Sequence, residues 1–257
     1  MGITLNYIET ESRKVYYRIN GAENSRTIIF IHGIAADSRF FHNQLKFFGT
    51  GMRVIAIDLP GHGRSLNSES VSAEIYNNSI EQVIRKENIG KYIIAGHSMG
   101  GPICLEHYRR NRDRIEALIL ISTAARIPVS EEMINRSVNS FDTFFNEMLE
   151  SIFFKKAGIF ILAAKKGIVE KEKSIITEDM KICMNLDCTD ILPSIERPVL
   201  LLTNRYDCMI PSVLTEKMKE KIKNSRLVIF EKKGHIPFFE ESEEFNSTVA
   251  EFISSIQ

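Results

Sequence analysis

Residues 91–101 read Lys91-Tyr92-Ile93-Ile94-Ala95-Gly96-His97-Ser98-Met99-Gly100-Gly101. Tyr92 to Ala95 is a short apolar run of the kind a buried strand needs. It leads into Gly-His-Ser-Met-Gly, a G-x-S-x-G pattern, and then into a helix-like segment from Pro102 to Arg110. The order strand, tight glycine turn, helix gives the pattern its meaning. Such a turn holds Ser98 in a strained conformation with its hydroxyl clear of the sheet. Gly96 and Gly100 lack side chains, so strand and helix can close around it. Met99 stands at the helix start, where its backbone N–H faces the place a developing oxyanion would occupy. A glycine-rich turn capped by a serine would look the same in isolation, so the rest of the chain decides.

Upstream, residues 3–9 and Lys14 to Ile19 read as a leading hairpin, with β-formers at Tyr16, Tyr17 and Ile19. Thr27 to Ile31 and Arg53 to Ile57 are continuous apolar runs and read as buried strands. The first ends in His32-Gly33-Ile34. The second ends in Asp58-Leu59-Pro60-Gly61-His62-Gly63-Arg64-Ser65, a polar, glycine-rich loop. Helical spacing covers residues 38–48 and 72–88, and Ala117 to Ile121 is a further strand. Strands alternating with helices, each strand short and apolar, predict a parallel sheet covered on both faces. Ligand sites in such sheets lie at the carboxyl ends of the strands. His32, Asp58 and Ser98 all fall there.

From Ala125 to about Pro193 the rhythm changes. Helical pieces carry Phe141, Phe144, Phe145, Phe153, Phe154 and Phe160 among lysines and glutamates. This stretch reads as a helical insertion over the strand ends, most of its aromatics packing a helical layer and about one in three facing a pocket. Two crossings join it to the rest, so it can hinge. The alternation then resumes. A strand from Val199 to Thr203 leads to Asp207, a helix spans 211–222 with Pro211 in its first turn, a strand from Leu227 to Phe230 leads to Gly234-His235, and a helix spans 241–256.

The chain has 257 residues, enough for one large α/β domain with an insertion. Lys+Arg and Asp+Glu number 33 each, which argues against a general nucleic-acid or anionic-membrane surface. No signal segment and no membrane-length apolar run is visible. The four cysteines lack ligand spacing and read as free thiols in a reducing cytoplasm, with Cys208 packed as a small apolar residue. None of the six histidines pairs with a carboxylate at ligand spacing, so neither metal nor cofactor is expected. Oligomeric state is not readable.

A serine hydroxyl needs a histidine to take its proton and a carboxylate to orient that histidine. Ser98, Asp207 and His235 occur in that order, each just past a predicted strand, which is the order this architecture uses. On these residues, with His32-Gly33, the Asp58–Ser65 loop and Gly96–Gly101, the chain resembles the α/β-hydrolase superfamily, in the serine branch with a helical cap. The resemblance spans nearly the whole chain, though 125–193 matches nothing specific. It implies a mostly parallel eight-stranded sheet with helices on both faces, a core of 1–124 and 194–257, and a cap of 125–193.

The resemblance further implies Ser98 as nucleophile, His235 as base and then acid, and Asp207 as its orienting carboxylate. Backbone N–H groups of Ile34 and Met99 would form the oxyanion hole. His32, Asp58 and Arg64 would be structural. The expected reaction is hydrolysis of a small or medium carboxylic ester through an acyl-enzyme. The same three residues would also serve a carbon–carbon hydrolase of dienoic ring-cleavage products, a perhydrolase side reaction, or a ligand-sensing protein with a weak hydrolase site. Thioesters and lactones stay open, and amides fit less well. Dehalogenase and epoxide-hydrolase relatives place an aspartate where Ser98 stands. The aromatic-rich cap favours an apolar acyl or aryl group.

Overall fold

Both faces of the central sheet are buried, which is why its inner parallel strands are apolar throughout rather than alternating, whereas the first two strands and the last are partly exposed. The computed structural model describes residues 2–9, 13–23, 25–65, 70–152, 170–231 and 234–256. Eight strands form one sheet: β1 (Thr4–Glu9), β2 (Lys14–Asn20), β3 (Thr27–Ile31), β4 (Arg53–Ile57), β5 (Tyr92–His97), β6 (Ile115–Ile121), β7 (Val199–Asn204) and β8 (Ser225–Phe230). Their order is β1-β2-β4-β3-β5-β6-β7-β8. Only β2 runs against its neighbours. It pairs antiparallel with β1 and β4, and every other pairing is parallel.

Successive side chains leave a strand on opposite faces. Ile29, Ile31, Ile55, Ile57 and Ile94 therefore pack beneath α2 (Ala73–Lys86) and α3 (Gly100–Asn111). Ile28, Phe30, Val54 and Ile93 pack against α1 (His42–Phe48) and the chain's last helix. Ser72 starts α2 by accepting the N–H of Ile75, an N-cap that satisfies one orphan donor.

Among the described residues, the stretch between β6 and β7 holds no strand. It carries α4 (Glu131–Asn139), α5 (Phe141–Ile152) and α6 (Glu170–Asn185). Phe144, Phe145, Met148, Leu149, Ile176 and Met180 form a separate apolar cluster where α5 and α6 meet. Phe141 stacks on Phe145 with centroids 5.4 Å apart. Phe153, Phe154 and Phe160 lie outside the described residues. Toward the C-terminal end of α6 the packing changes allegiance: Cys183, Cys188, Ile191 and Leu192 join the main core.

After β7, α7 (Ser212–Lys221) has Pro211 at its N-cap rather than in its first turn. The short α8 (Pro237–Glu240) and α9 (Ser242–Ser255) close the chain. Chain order reverses at β3: the chain steps outward to β4, then crosses back to β5 on the other side. Crevices at such a switch point are where open α/β sheets bind ligands.

Candidate active site

Ile31 of β3 and Gly96 of β5 are register partners, so the two strands end level with each other. Their loops, His32–Ile34 and His97–Met99, therefore meet side by side. Ser98 adopts φ 52°, a left-handed conformation that L-residues other than Gly, Asn and Asp rarely take. Three hydrogen bonds hold it there. Its N–H donates to Ile121 O at 3.0 Å, and its carbonyl accepts from Gly101 N at 2.9 Å and Thr123 Oγ1 at 2.7 Å. A Cβ on Gly96 would stand 2.2 Å from Gly100 O, so the turn closes only with glycine there.

Asp207 and His235 come together beside this turn. His235 Nδ1 donates to Asp207 Oδ2 at 2.9 Å, and both residues are buried. Asp207 Oδ1 accepts the backbone N–H groups of Met209 and Ile210, at 2.9 Å each. The carboxylate is thus fixed by its own loop and aimed at the imidazole. That turn of chain leaves Cys208 exposed, not packed as its sequence neighbourhood suggested. Cys104, Cys183 and Cys188 are buried free thiols.

Ser98, His235 and Ile34 line one cavity of about 680 Å³. Its floor is the strand ends. Its walls come from the insertion, through Met133, Phe144, Phe145, Met148 and Met180. Of the insertion phenylalanines named from the sequence, Phe144 and Phe145 face it, and Phe153, Phe154 and Phe160 lie outside the described residues. At the rim, Asp37 and Arg39 form a two-pronged ion pair, 2.6 Å at its closest. Burial opposes the Asp37 charge, but the Arg39 bonds outweigh it and hold its pKa below the usual carboxylate value. The backbone N–H of Met99 lies at the start of α3, and its side chain is buried in the core.

His32 is a brace. Its Nδ1 donates to Gly33 O at 2.8 Å and its Nε2 accepts Leu59 N–H at 3.1 Å. Only the neutral ring can do both. Burial, reinforced by the neighbouring His62, pushes its pKa down to about 3. Asp58 accepts Ser38 N and Arg64 N, at 2.8 and 3.0 Å, and so ties the two loops together. Arg64 itself is exposed.

Three contacts escaped the sequence reading. His97 donates from Nε2 to the carbonyl of His235 at 3.0 Å, its ring 4.7 Å from the His235 ring. Burial, with the His235 ring next, keeps His97 well below its ordinary pKa and therefore neutral. The His235 N–H donates to Ile152 O at 2.7 Å. His62, in the glycine-rich loop, pairs with Asp179 of α6. Each of these joins residues far apart in the chain, and no local pattern marks them. Among the described residues, no three His, Cys, Asp or Glu side chains are grouped to hold a metal ion.

A family model described as alpha/beta hydrolase fold matches residues 26–174, and one described as TAP-like protein matches 185–256. The AB hydrolase superfamily protein YisY of Bacillus subtilis (strain 168) is 27% identical over 275 residues, spanning 97% of this chain and 99% of its own. A pimeloyl-(acyl-carrier protein) methyl ester esterase of Neisseria meningitidis serogroup A is 24% identical, with 90% and 78% covered. In fold, the chain superimposes on the enol-lactonase of Burkholderia xenovorans LB400 with a TM-score of 0.87 at 20% identity, covering 97% of this chain and 100% of that one. With the first model matched over more than half its length, the chain belongs to the alpha/beta hydrolase fold family of hydrolases.

Proposed function

We propose that this protein hydrolyses carboxylic esters with a small or medium apolar acyl group, Ser98 being the nucleophile. The observation that carries the reading is the 2.9 Å bond from Asp207 to His235, at the edge of the cavity that Ser98 also lines. His235 takes the Ser98 proton as the hydroxyl attacks the ester carbonyl. Asp207 keeps the proton on Nδ1, so Nε2 is the basic nitrogen, and stabilises the imidazolium that forms. The oxyanion is held by the N–H groups of Ile34 and Met99, the latter at a helix start where the dipole favours negative charge. The alcohol leaves with a proton from His235. Water, activated by the same ring, then releases the acid.

The cavity walls favour apolar acyl groups, and a volume near 680 Å³ suits a ligand of modest size. The ester linkage itself draws support from the Neisseria meningitidis relative, which is named as a methyl ester esterase. The described helices α4, α5 and α6 of the segment 125–193 act as the cap over this cavity.

The test is hydrolysis of p-nitrophenyl esters of graded acyl length, wild type beside Ser98→Ala. Each buried methylene contributes up to about 0.8 kcal/mol. We expect kcat/KM to rise roughly threefold to fourfold per methylene until the cavity is full, then to fall. Ser98→Ala should show no turnover above background. Full activity in that variant removes Ser98 as the nucleophile. No wild-type turnover at any length overturns the ester reading and makes a dienoic ketone the next substrate.

A further inference from the structure

The insertion is fastened to the sheet by a buried polar cluster beside the cavity. Asp179 of α6 is wholly buried, and His62 nearly so. Asp179 Oδ2 lies 2.8 Å from His62 Nε2, and Asp179 Oδ1 accepts Tyr76 OH at 2.5 Å. The other nitrogen of His62, Nδ1, faces the carbonyl oxygen of Pro60 at 3.3 Å. Both ring nitrogens therefore face acceptors. A neutral imidazole has one donor and, beside an ionised Asp179, would set a lone pair against an oxygen. An imidazolium has two and satisfies both. The hydrogen-bond pattern is the one that a charged His62, donating from both ring nitrogens, satisfies against Asp179 and Pro60.

His62 lines the same cavity as Ser98, and so do Ile175, Ile176 and Met180 of α6. The His62 ring also packs on that of His32, centroids 4.8 Å apart, and His32 braces the Gly33 loop beside Ser98. We infer that His62 and Asp179 are positioning residues, a charged clasp between the loop after β4 and α6 that keeps the cavity closed around the acyl group. The inference rests on the reaction proposed above for its kinetic test, but not for its spectroscopic one.

The clasp is sensitive to alkali. The groups facing His62 are Asp179 on α6, Tyr76 on α2, His32 after β3, and Asp37 farther along that loop. Cys183 and Glu178 lie behind Asp179 and Tyr76. Burial opposes the His62 charge, but Asp179 outweighs it and raises the pKa above the ordinary value. Burial and Asp179 also hold Tyr76 well above its usual range, so Tyr76 stays a donor. Below its raised pKa His62 is charged and the clasp is shut. As pH climbs through that pKa, the charge is lost, α6 loosens and the acyl group loses its wall.

Asp179→Asn is a clean probe. The amide can donate to a neutral His62 and still accept from Tyr76, so the packing keeps its partners while the charge goes. In wild type we expect kcat/KM to fall on the alkaline side, with KM carrying the fall. In Asp179→Asn that limb should be absent and KM at pH 7 about tenfold higher, the loss of one charge-assisted bond. A purely structural pair would lower the melting temperature and leave the wild-type pH profile in place, and that result overturns the clasp. The ring 15N shifts of His62 provide an arm independent of catalysis. A ring protonated on both nitrogens at pH 6 in wild type, and neutral in Asp179→Asn, is expected; a neutral wild-type ring at pH 6 sinks the proposal. Turnover persisting in Ser98→Ala would defeat the reaction scheme alone and leave the 15N result standing.

Discussion

The backbone N–H of His235 donates to the carbonyl of Ile152, the final residue of α5, at 2.7 Å. The proposed general base is therefore held on its loop from three sides: by Asp207 at Nδ1, by His97 at its own carbonyl, and by the insertion at its N–H. Glu240 steadies the approach by accepting Gly234 N–H at 2.7 Å. The stretch between β6 and β7 thus supplies an acceptor to the peptide of the proposed base.

This has a consequence for deletions. Replacing residues 131–180 with a short linker spares Cys183, Cys188, Ile191 and Leu192, which pack in the main core. That shortened protein should still melt cooperatively by circular dichroism. It should nonetheless lose at least tenfold in kcat on a short ester, because the His235 N–H has lost its acceptor and a small misplacement of a catalytic group is costly. A deletion of all 125–193 strips those core side chains and should leave no cooperative transition. Equal stability in the two deletion variants would contradict this division.

Asp207→Asn should leave the fold intact and reduce kcat by about 10⁴-fold. The reason is in the bonds. One carboxylate oxygen already takes two backbone N–H groups, from Met209 and Ile210. An asparagine must point its oxygen there, so its NH2 faces His235 Nδ1. The imidazole then carries its proton on Nε2, the nitrogen that has to be basic. Near-UV circular dichroism should match wild type while single-turnover acylation collapses. A loss below tenfold would mean that Asp207 does not set the tautomer.

Much of this arrangement is legible in sequence because it is local. The inner strands announce themselves as continuous apolar runs, since both their faces are covered, and Ser98, Asp207 and His235 each sit a few residues beyond a strand. What was not legible is long-range. His97 reaches the carbonyl of His235, Ile152 reaches its N–H, and Asp179 reaches His62 across 117 positions of chain. None of these leaves a period or a spacing. Cys208 misled for a related reason: its neighbours look buried, but the bonds from Asp207 to Met209 and Ile210 turn the chain and put the thiol outside.

Gly33 offers a prediction about the oxyanion loop. A Cβ at this position would stand 2.8 Å from Ser98 Cβ and 3.3 Å from His97 Nδ1. Both neighbours are fixed, so the loop itself must retreat and take the Ile34 N–H with it. Gly33→Ala should lower kcat by about 10²-fold, in the range expected when a donor moves by about an ångström, with KM little altered. Pre-steady-state kinetics would place the defect in acylation. An unchanged kcat would mean that Ile34 is not a donor to the oxyanion.

Acid stability should depend on His107, away from the cavity. Its Nδ1 lies 3.2 Å from Asn77 Oδ1 and its Nε2 lies 2.8 Å from Tyr92 OH, partners that the neutral ring satisfies by donating at Nδ1 and accepting at Nε2. Burial pushes its pKa down to about 4, from an ordinary value near 6.5. A lowered histidine pKa means that the unfolded chain binds the proton first. Its contribution to stability is complete above about pH 6.5 and is lost as pH falls toward 4. The shift corresponds to about 3 kcal/mol across that window. His107→Gln, which keeps one donor and one acceptor and cannot titrate, should therefore lose less stability than wild type between pH 7 and pH 4. Urea unfolding at the two pH values reads the difference directly. Parallel losses in the two proteins would show that the His107 proton is taken up in the folded state as easily as in the unfolded chain.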